Sequence, residues 1–185
     1  ASAVEETVKM CRRVVLIDEA YVDFAPRSCL DLARRYENVL VARTFSKSFS
    51  LAGMRVGYCF GHPDLIRTLM LVKDSYHLDA VAQAAATAAM EDYDSMADHT
   101  RTIIAVRERY SKELADAGFM VFPSAANFLL VRPLHATAQE YHRKLRERGI
   151  LERFHHTPEL RTYLRITIGT DEQMRALLEA VHAIG

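Results

Sequence analysis

Three short apolar runs in the first third of the chain predict buried β-strands. Residues 14–17 form a continuous apolar run that ends abruptly at Asp18 and Glu19, and residues 38–42 and 55–60 follow the same pattern. Continuous rather than alternating apolar residues are typical of parallel strands covered on both faces. The pattern therefore predicts an α/β fold with a mainly parallel open sheet, which binds ligands beyond the carboxyl ends of its strands.

After residue 62 the pattern is mainly helical, with a few strands near the end. Three strands are predicted at 119–122, 127–131 and 163–168. Thr170 and Gln173 have capping-box spacing before the last helix. The other predicted helices span residues 3–12, 62–73, 78–90, 98–117 and 137–148. We place a boundary between a first domain, residues 1–97, and a small α+β domain, residues 98–185.

Composition narrows the class of protein. The 185 residues are 50% hydrophobic and 26% charged, and 24 basic residues balance 24 acidic ones, so a nucleic-acid or membrane partner has no electrostatic support. No run approaches the roughly 20 apolar residues that span a bilayer. Three cysteines without metal-ligand spacing indicate a reducing, cytoplasmic setting and no metal site. The chain begins at Ala1 within a helical pattern, so we expect it to be part of a longer protein.

A lysine just after the second strand has unusual neighbours. Lys47 lies between Ser46 and Ser48, with Thr44 and Arg55 close in sequence. A lysine amine is a nucleophile for carbonyl groups, and hydroxyls with an arginine suit a phosphate. The residues alone leave open a solvated loop lysine with no chemical role.

Four segments resemble those of fold-type I pyridoxal-phosphate enzymes, the aspartate-aminotransferase superfamily. Residues 44–57 resemble its cofactor-lysine motif, and residues 16–21 resemble the strand that ends in its pyridine-contacting aspartate. Residues 127–130 and 163–169 resemble its asparagine-phenylalanine segment and its substrate-arginine strand. Within this superfamily the sequence is most similar to the histidinol-phosphate aminotransferases, in residues 18–21, 49–53 and 73–76. The resemblance implies that residues 1–97 are the C-terminal part of a large cofactor-binding domain.

The resemblance implies pyridoxal 5'-phosphate as cofactor and assigns residues to it. Lys47 is the expected covalent attachment point and proton carrier, Asp18 the partner of the pyridine nitrogen, and Tyr21 the partner of the phenolate oxygen. These three are the expected catalytic residues. The expected phosphate contacts are Thr44, Ser46 and Arg55. From the residues alone, Asp18 could instead cap backbone amides, and Tyr21 could be an ordinary half-buried aromatic.

The same resemblance assigns the substrate contacts to the second domain. Arg165 is expected to bind an acid group of the substrate, Arg153 to be a second anion contact, and Asn127 to lie near Arg165. The alternatives are a surface ion pair of Arg165 with Glu159 or Asp171, and a solvated Arg153.

The resemblance implies amino transfer from histidinol phosphate to 2-oxoglutarate in histidine biosynthesis, which gives imidazole acetol phosphate and glutamate. It also implies a homodimer that binds a small-molecule amino donor and a 2-oxo acid. Family members are usually much longer, and the glycine-containing phosphate cup and ring-stacking aromatic expected before Asp18 are missing, so we expect this chain alone to be inactive. Two alternatives keep the cofactor: a threonine-phosphate decarboxylase or an aromatic amino-acid aminotransferase. A third is a non-catalytic regulatory or dimerisation module that binds pyridoxal phosphate.

Overall fold

The computed structural model describes residues 2–185, which divide into two compact units, residues 2–98 and residues 99–185. The first contains a three-stranded sheet, and the second a four-stranded sheet. The fold is of the mixed α/β class, as predicted.

The first unit alternates helices and strands. Short 3₁₀ turns at Val22–Phe24 and Ala52–Met54 lie in the loops after the first two strands. Its elements are α1 (Ala3–Met10), β1 (Val15–Asp18), α2 (Leu30–Arg35), β2 (Val39–Thr44), β3 (Gly57–Gly61), α3 (Pro63–Val72), α4 (Ala80–Glu91) and the first residues of α5 (Tyr93–Asp116).

The direction of β3 corrects the prediction. β1 and β2 are parallel, with Asp18 opposite Ala42. β3 runs antiparallel to β2, with Gly57 opposite Thr44. Our prediction of a third parallel strand was wrong because a parallel connection requires a crossover, usually a helix, whereas residues 45–56 form only a folded loop.

The sheet of the first unit is covered mainly on one face. Val39 and Val41 are fully buried and pack in one cluster with Val8 of α1 and Leu32 of α2. On the opposite face Leu16 is 64% exposed. The predicted burial of β1 on both faces is therefore wrong within the described chain.

The second unit packs its helices on a four-stranded sheet in which all neighbouring strands are antiparallel. Its core includes the fully buried Leu114, Val131 and Leu164. Gly118 ends α5 with φ +86°, a left-handed conformation that favours glycine at a helix end. The remaining elements are β4 (Phe119–Val121), β5 (Phe128–Pro133), α6 (Ala138–Glu147), β6 (Arg153–Phe154), β7 (Leu164–Thr167) and α7 (Asp171–Ile184). The strands of the second sheet lie in the order β4-β5-β7-β6.

Among residues 2–185, no helix has the length and apolarity needed to cross a bilayer.

Candidate active site

The three strands of the first unit bring several predicted site residues to one edge of the sheet. Asp18 ends β1 and Thr44 ends β2, and these strands are parallel and paired. Because β3 is antiparallel, its first residue, Gly57, pairs with Thr44. Arg55, two residues before Gly57, therefore lies at the same edge of the sheet.

Residues 45–56, here called the lysine loop, fold back on themselves. The Phe45 amide donates to the Val56 carbonyl at 3.1 Å, and the Leu51 amide donates to the Phe45 carbonyl at 3.0 Å. Phe45 is buried, lies 4.8 Å from the Phe49 ring between centroids, and packs in one cluster with Ala82 and Ala86 of α4. The aromatic residues of the loop thus anchor it, and half-buried Lys47 lies between these anchors in sequence.

Lys47 lies close to Tyr21. The Lys47 Nζ is 5.2 Å from the centroid of the Tyr21 ring, within the range of a cation–π contact. No carboxylate forms an ion pair with Lys47 anywhere in residues 2–185. The amine is therefore placed beside a phenol and has no acidic counter-ion in the described chain.

Two hydroxyls form a polar cluster at the start of the lysine loop. The Thr44 hydroxyl donates to the Val56 carbonyl at 3.2 Å and is hydrogen-bonded to the Ser46 hydroxyl at 2.9 Å. It also accepts from the Ser46 amide at 3.1 Å. The structure therefore brings together two of the three residues expected to contact a phosphate.

Arg55, the third, has a backbone conformation that is rare outside glycine. Its φ is +56°, and Ser50 in the same loop has φ +58°. Such residues cost of order 1–3 kcal/mol each and occur often at functional sites. The Arg55 side chain is exposed, and its Nη1 donates to the Ala52 carbonyl at 2.8 Å.

Asp18 is exposed, and its Oδ1 accepts from the Ala20 amide at 2.9 Å. This is the backbone contact that we named as the alternative role. The second carboxylate oxygen has no hydrogen bond among the contacts of the described residues.

Sequence reasoning missed a buried ion pair behind this edge. Glu19 is 7% exposed, and its carboxylate is 2.9 Å from Nη2 of Arg43. It also accepts from the Ser28 hydroxyl at 3.0 Å and from the Cys29 amide. Because Asp18 pairs with Ala42, the next residues along both strands are Glu19 and Arg43, so the register of the two apolar runs was the signal for this pair.

A second missed contact joins two loops. The Ser48 hydroxyl, 6% exposed at residue level, donates to the Asp23 carboxylate. Asp23 belongs to residues 19–29, here called the Tyr21 segment, whereas Ser48 belongs to the lysine loop. No short-range sequence pattern indicates this pairing.

In the second unit, the two predicted anion contacts are neighbours. Arg165 on β7 pairs with Arg153 on β6 and with Leu130 on β5. The Arg165 guanidinium lies 5.2 Å from the centroid of the Phe128 ring, and its Nε is buried without a hydrogen-bond partner. Within residues 2–185, Arg165 forms an ion pair with neither Glu159 nor Asp171, and Asp171 pairs with Arg109 instead.

Asn127 precedes β5, and its carbonyl accepts from the Ile168 amide at 2.9 Å just after β7. Its backbone is thus fixed on the strand next to that of Arg165.

The titratable side chains show no metal centre. Residues 2–185 contain no group of three or more His, Cys, Asp or Glu side chains that could hold a metal ion.

Known proteins resemble this chain along nearly its whole length. Histidinol-phosphate aminotransferase of Aromatoleum aromaticum is 50% identical over 174 residues, covering 92% of this chain and 49% of the relative. The enzyme of the same name from Gluconacetobacter diazotrophicus is 49% identical over 175 residues, covering 93% and 49%. The chain therefore spans about half the length of the curated relatives it matches.

A solved structure agrees with the fold. Histidinol-phosphate aminotransferase of Sinorhizobium meliloti, in complex with pyridoxal-5'-phosphate, superposes with a TM-score of 0.82 at 30% identity. The match covers 97% of this chain and 52% of that chain. The family model for aminotransferase class I and II matches residues 2–181. The chain belongs to the class I and II aminotransferase family.

Proposed function

We propose that the full-length protein containing this chain is a pyridoxal-phosphate-dependent transaminase that moves an amino group from histidinol phosphate to 2-oxoglutarate. The two relatives at 50% and 49% identity carry the name of this activity. The structural observation that carries the proposal is the Lys47 amine, beside the Tyr21 ring and without an acidic partner among residues 2–185.

The residues at this edge fit the cofactor in chemical type. An amine without a counter-ion suits an aldehyde, and the clustered hydroxyls of Thr44 and Ser46 suit a phosphate. Asp18 keeps one carboxylate oxygen uncommitted at the end of β1. These features support pyridoxal phosphate as the group held here.

When bound, pyridoxal phosphate supplies a carbonyl for the amino group and a ring that takes up electron density from the substrate Cα. Lys47 would hold the cofactor through its amine and, once the substrate amine has displaced it, the freed amine would act as general acid and base at the substrate Cα. The Asp18 carboxylate stabilises positive charge at the ring nitrogen. Tyr21 donates a hydrogen bond to the phenolate oxygen.

Binding of the phosphate and of the substrate falls to other residues. Thr44, Ser46 and Arg55 hold the cofactor phosphate, the arginine through a charge-assisted hydrogen bond. Arg165 binds an acid group of the substrate, and its partnerless Nε supports this role. Arg153 is the second anion contact, and Asn127 orients the strand beside Arg165. We propose that the whole protein is a homodimer, as the family resemblance implies.

The test is glutamate production by the full-length protein. With pyridoxal phosphate present, we expect turnover of histidinol phosphate and 2-oxoglutarate and a visible absorbance band that Lys47→Ala removes. Lys112→Ala, on exposed α5 surface, is the matched control and retains both. Turnover of only phenylalanine or of threonine phosphate would overturn the substrate, and full turnover by Lys47→Ala would overturn the mechanism.

A further inference from the structure

The Tyr21 segment carries Tyr21 and the lysine loop carries Lys47, whose Nζ lies 5.2 Å from the centroid of the Tyr21 ring. Each lies close in sequence to a residue of the Asp23–Ser48 hydrogen bond. Ser48 directly follows Lys47, and Asp23 is two residues after Tyr21. The bond therefore ties the two segments together beside the point where their functional side chains meet.

A separate set of contacts joins the two ends of the Tyr21 segment to each other and to the sheet. The Glu19 carboxylate, at its start, accepts from Ser28 and Cys29, at its end, and pairs with Arg43 of β2. This closes the segment into a loop and fixes it to the sheet. It does not fix the middle of the segment, where Tyr21 and Asp23 lie, against the lysine loop.

The Ser48 side of the hydrogen bond between the loops is buried, and Asp23 is half-buried. Ser48 is 6% exposed, so water cannot readily replace its partner if the Asp23 carboxylate is removed. A buried hydroxyl that loses its partner carries an unmade hydrogen bond, and the loop around it then shifts to find another.

We propose that Asp23, through Ser48, is a positioning residue that sets the placement of the Lys47 amine relative to the Tyr21 phenol. Neither Asp23 nor Ser48 reacts. They restrict the motion of the two segments, so that the Lys47 amine and the Tyr21 phenol are presented to the cofactor in one geometry. A displacement of about 1 Å in a catalytic group can cost roughly a hundredfold in rate, so such a restraint bears on kcat. The inference rests on the proposed function in its effect on turnover, but its geometric part does not require the cofactor.

The first experiment measures the reactivity of the Lys47 amine in the full-length, cofactor-free protein. Limited acetylation with acetic anhydride at neutral pH, read by mass spectrometry, gives the labelling of Lys47 relative to Lys112. In Asp23→Asn and Ser48→Ala we expect this ratio to change by about tenfold, since a charge-assisted hydrogen bond is lost. Ser48→Thr keeps the hydroxyl and should keep the ratio.

The second experiment measures kinetics with the cofactor bound. We expect Asp23→Asn and Ser48→Ala to lower kcat by about tenfold, with KM for 2-oxoglutarate changed by less than about twofold, and Ser48→Thr to restore kcat. Asp31→Asn makes the same charge change on exposed α2 surface and should leave the labelling ratio and kcat unchanged.

An unchanged labelling ratio in Asp23→Asn and Ser48→Ala would overturn the inference, as would an equal change in Asp31→Asn. If Asp23→Asn does not fold, the comparison of Ser48→Ala with Ser48→Thr decides the question. A changed ratio in a protein without transaminase activity would support the positioning role and reject the proposed function, so the two can fail separately.

Discussion

Arg153 and Arg165 lie directly opposite each other on the antiparallel strands β6 and β7. Residues directly opposite in such a pair share one face of the sheet, so two guanidinium groups are neighbours there. Neither forms an ion pair with a carboxylate within residues 2–185. Like charges in this position are destabilising, which an anion bound between them would relieve.

Replacing Arg153 should therefore separate stability from binding. We expect Arg153→Met to raise the free energy of unfolding by up to about 1 kcal/mol without substrate, because a like-charge pair is removed. On the proposed function, it should raise KM of the full-length protein for histidinol phosphate by roughly ten- to a hundredfold, because the proposed charged hydrogen bond is lost. Urea unfolding and steady-state kinetics measure the two effects, with Arg161→Met as control. An unchanged KM would contradict the anion contact and indicate that Arg153 is a solvated cation.

Asp18→Ala should impair turnover far more than folding. The side chain is exposed and makes one hydrogen bond, to the Ala20 amide, so we expect a loss of about 1 kcal/mol or less in stability. We expect kcat to fall by at least about a hundredfold, because the proposed role of this carboxylate is to stabilise charge at the ring nitrogen. Asp116→Ala, on an exposed helix end, is the control for stability and rate. A small change in kcat would leave Asp18 with its backbone-capping role alone.

The buried carboxylate of Glu152 depends on His142. The Glu152 side chain is 1% exposed, its Oε1 lies 2.5 Å from the His142 Nδ1, and its Oε2 is buried without a partner. His142→Ala leaves this carboxylate unpaired, and we expect a loss of about 1–3 kcal/mol in the free energy of unfolding.

A double-mutant cycle checks this prediction. Replacing both partners, as in His142→Ala with Glu152→Leu, removes the buried charge as well, and stability should recover by more than about 1 kcal/mol relative to His142→Ala. Urea unfolding of the four proteins gives the coupling energy. Simple additivity of the two single changes would show that the pair contributes nothing.

Acid should weaken the first unit through Glu5. Its pKa is lowered from 4.5 to about 2, first because Arg35 and then because Tyr36 donates to its carboxylate, at 2.7 Å and 2.8 Å. A carboxyl whose pKa is lower in the folded state adds stability above its unfolded value, and that stability is lost as the pH falls from about 4.5 to about 2. In Glu5→Gln the loss over this interval should be smaller than in the unaltered protein. Glu6→Gln, the exposed neighbour on α1, should lose stability as the unaltered protein does, and urea unfolding at several pH values tests both.

Local patterns predicted the elements better than their partners. The capping box of Thr170 and Gln173 is present at the start of α7 because both hydrogen bonds lie within one turn. The direction of β3 was mispredicted because an apolar run of five or six residues contains no information on its partner strand. The two-residue strand β6 was missed because it is too short for any periodicity.

The candidate site shows the same division. Lys47 and its hydroxyl neighbours are contiguous in sequence, so their shared loop was predictable. The contacts that fix the surrounding segments, Glu19 with Arg43 for the Tyr21 segment and Asp23 with Ser48 for the lysine loop, join residues about 25 apart along the chain. Such pairs follow from strand register and loop packing, which a single sequence encodes only through the completed fold.

The left-handed backbone of Arg55 sets the stability of the loop against the proposed contact of its guanidinium with a phosphate. Glycine adopts a φ of +56° without steric cost, so Arg55→Gly should relax the loop while removing the guanidinium. Selection for stability alone would thus favour losing the arginine. Any lineage that loses the proposed phosphate contact should drift toward glycine here, and a retained arginine in such a lineage would mark a second use for that charge.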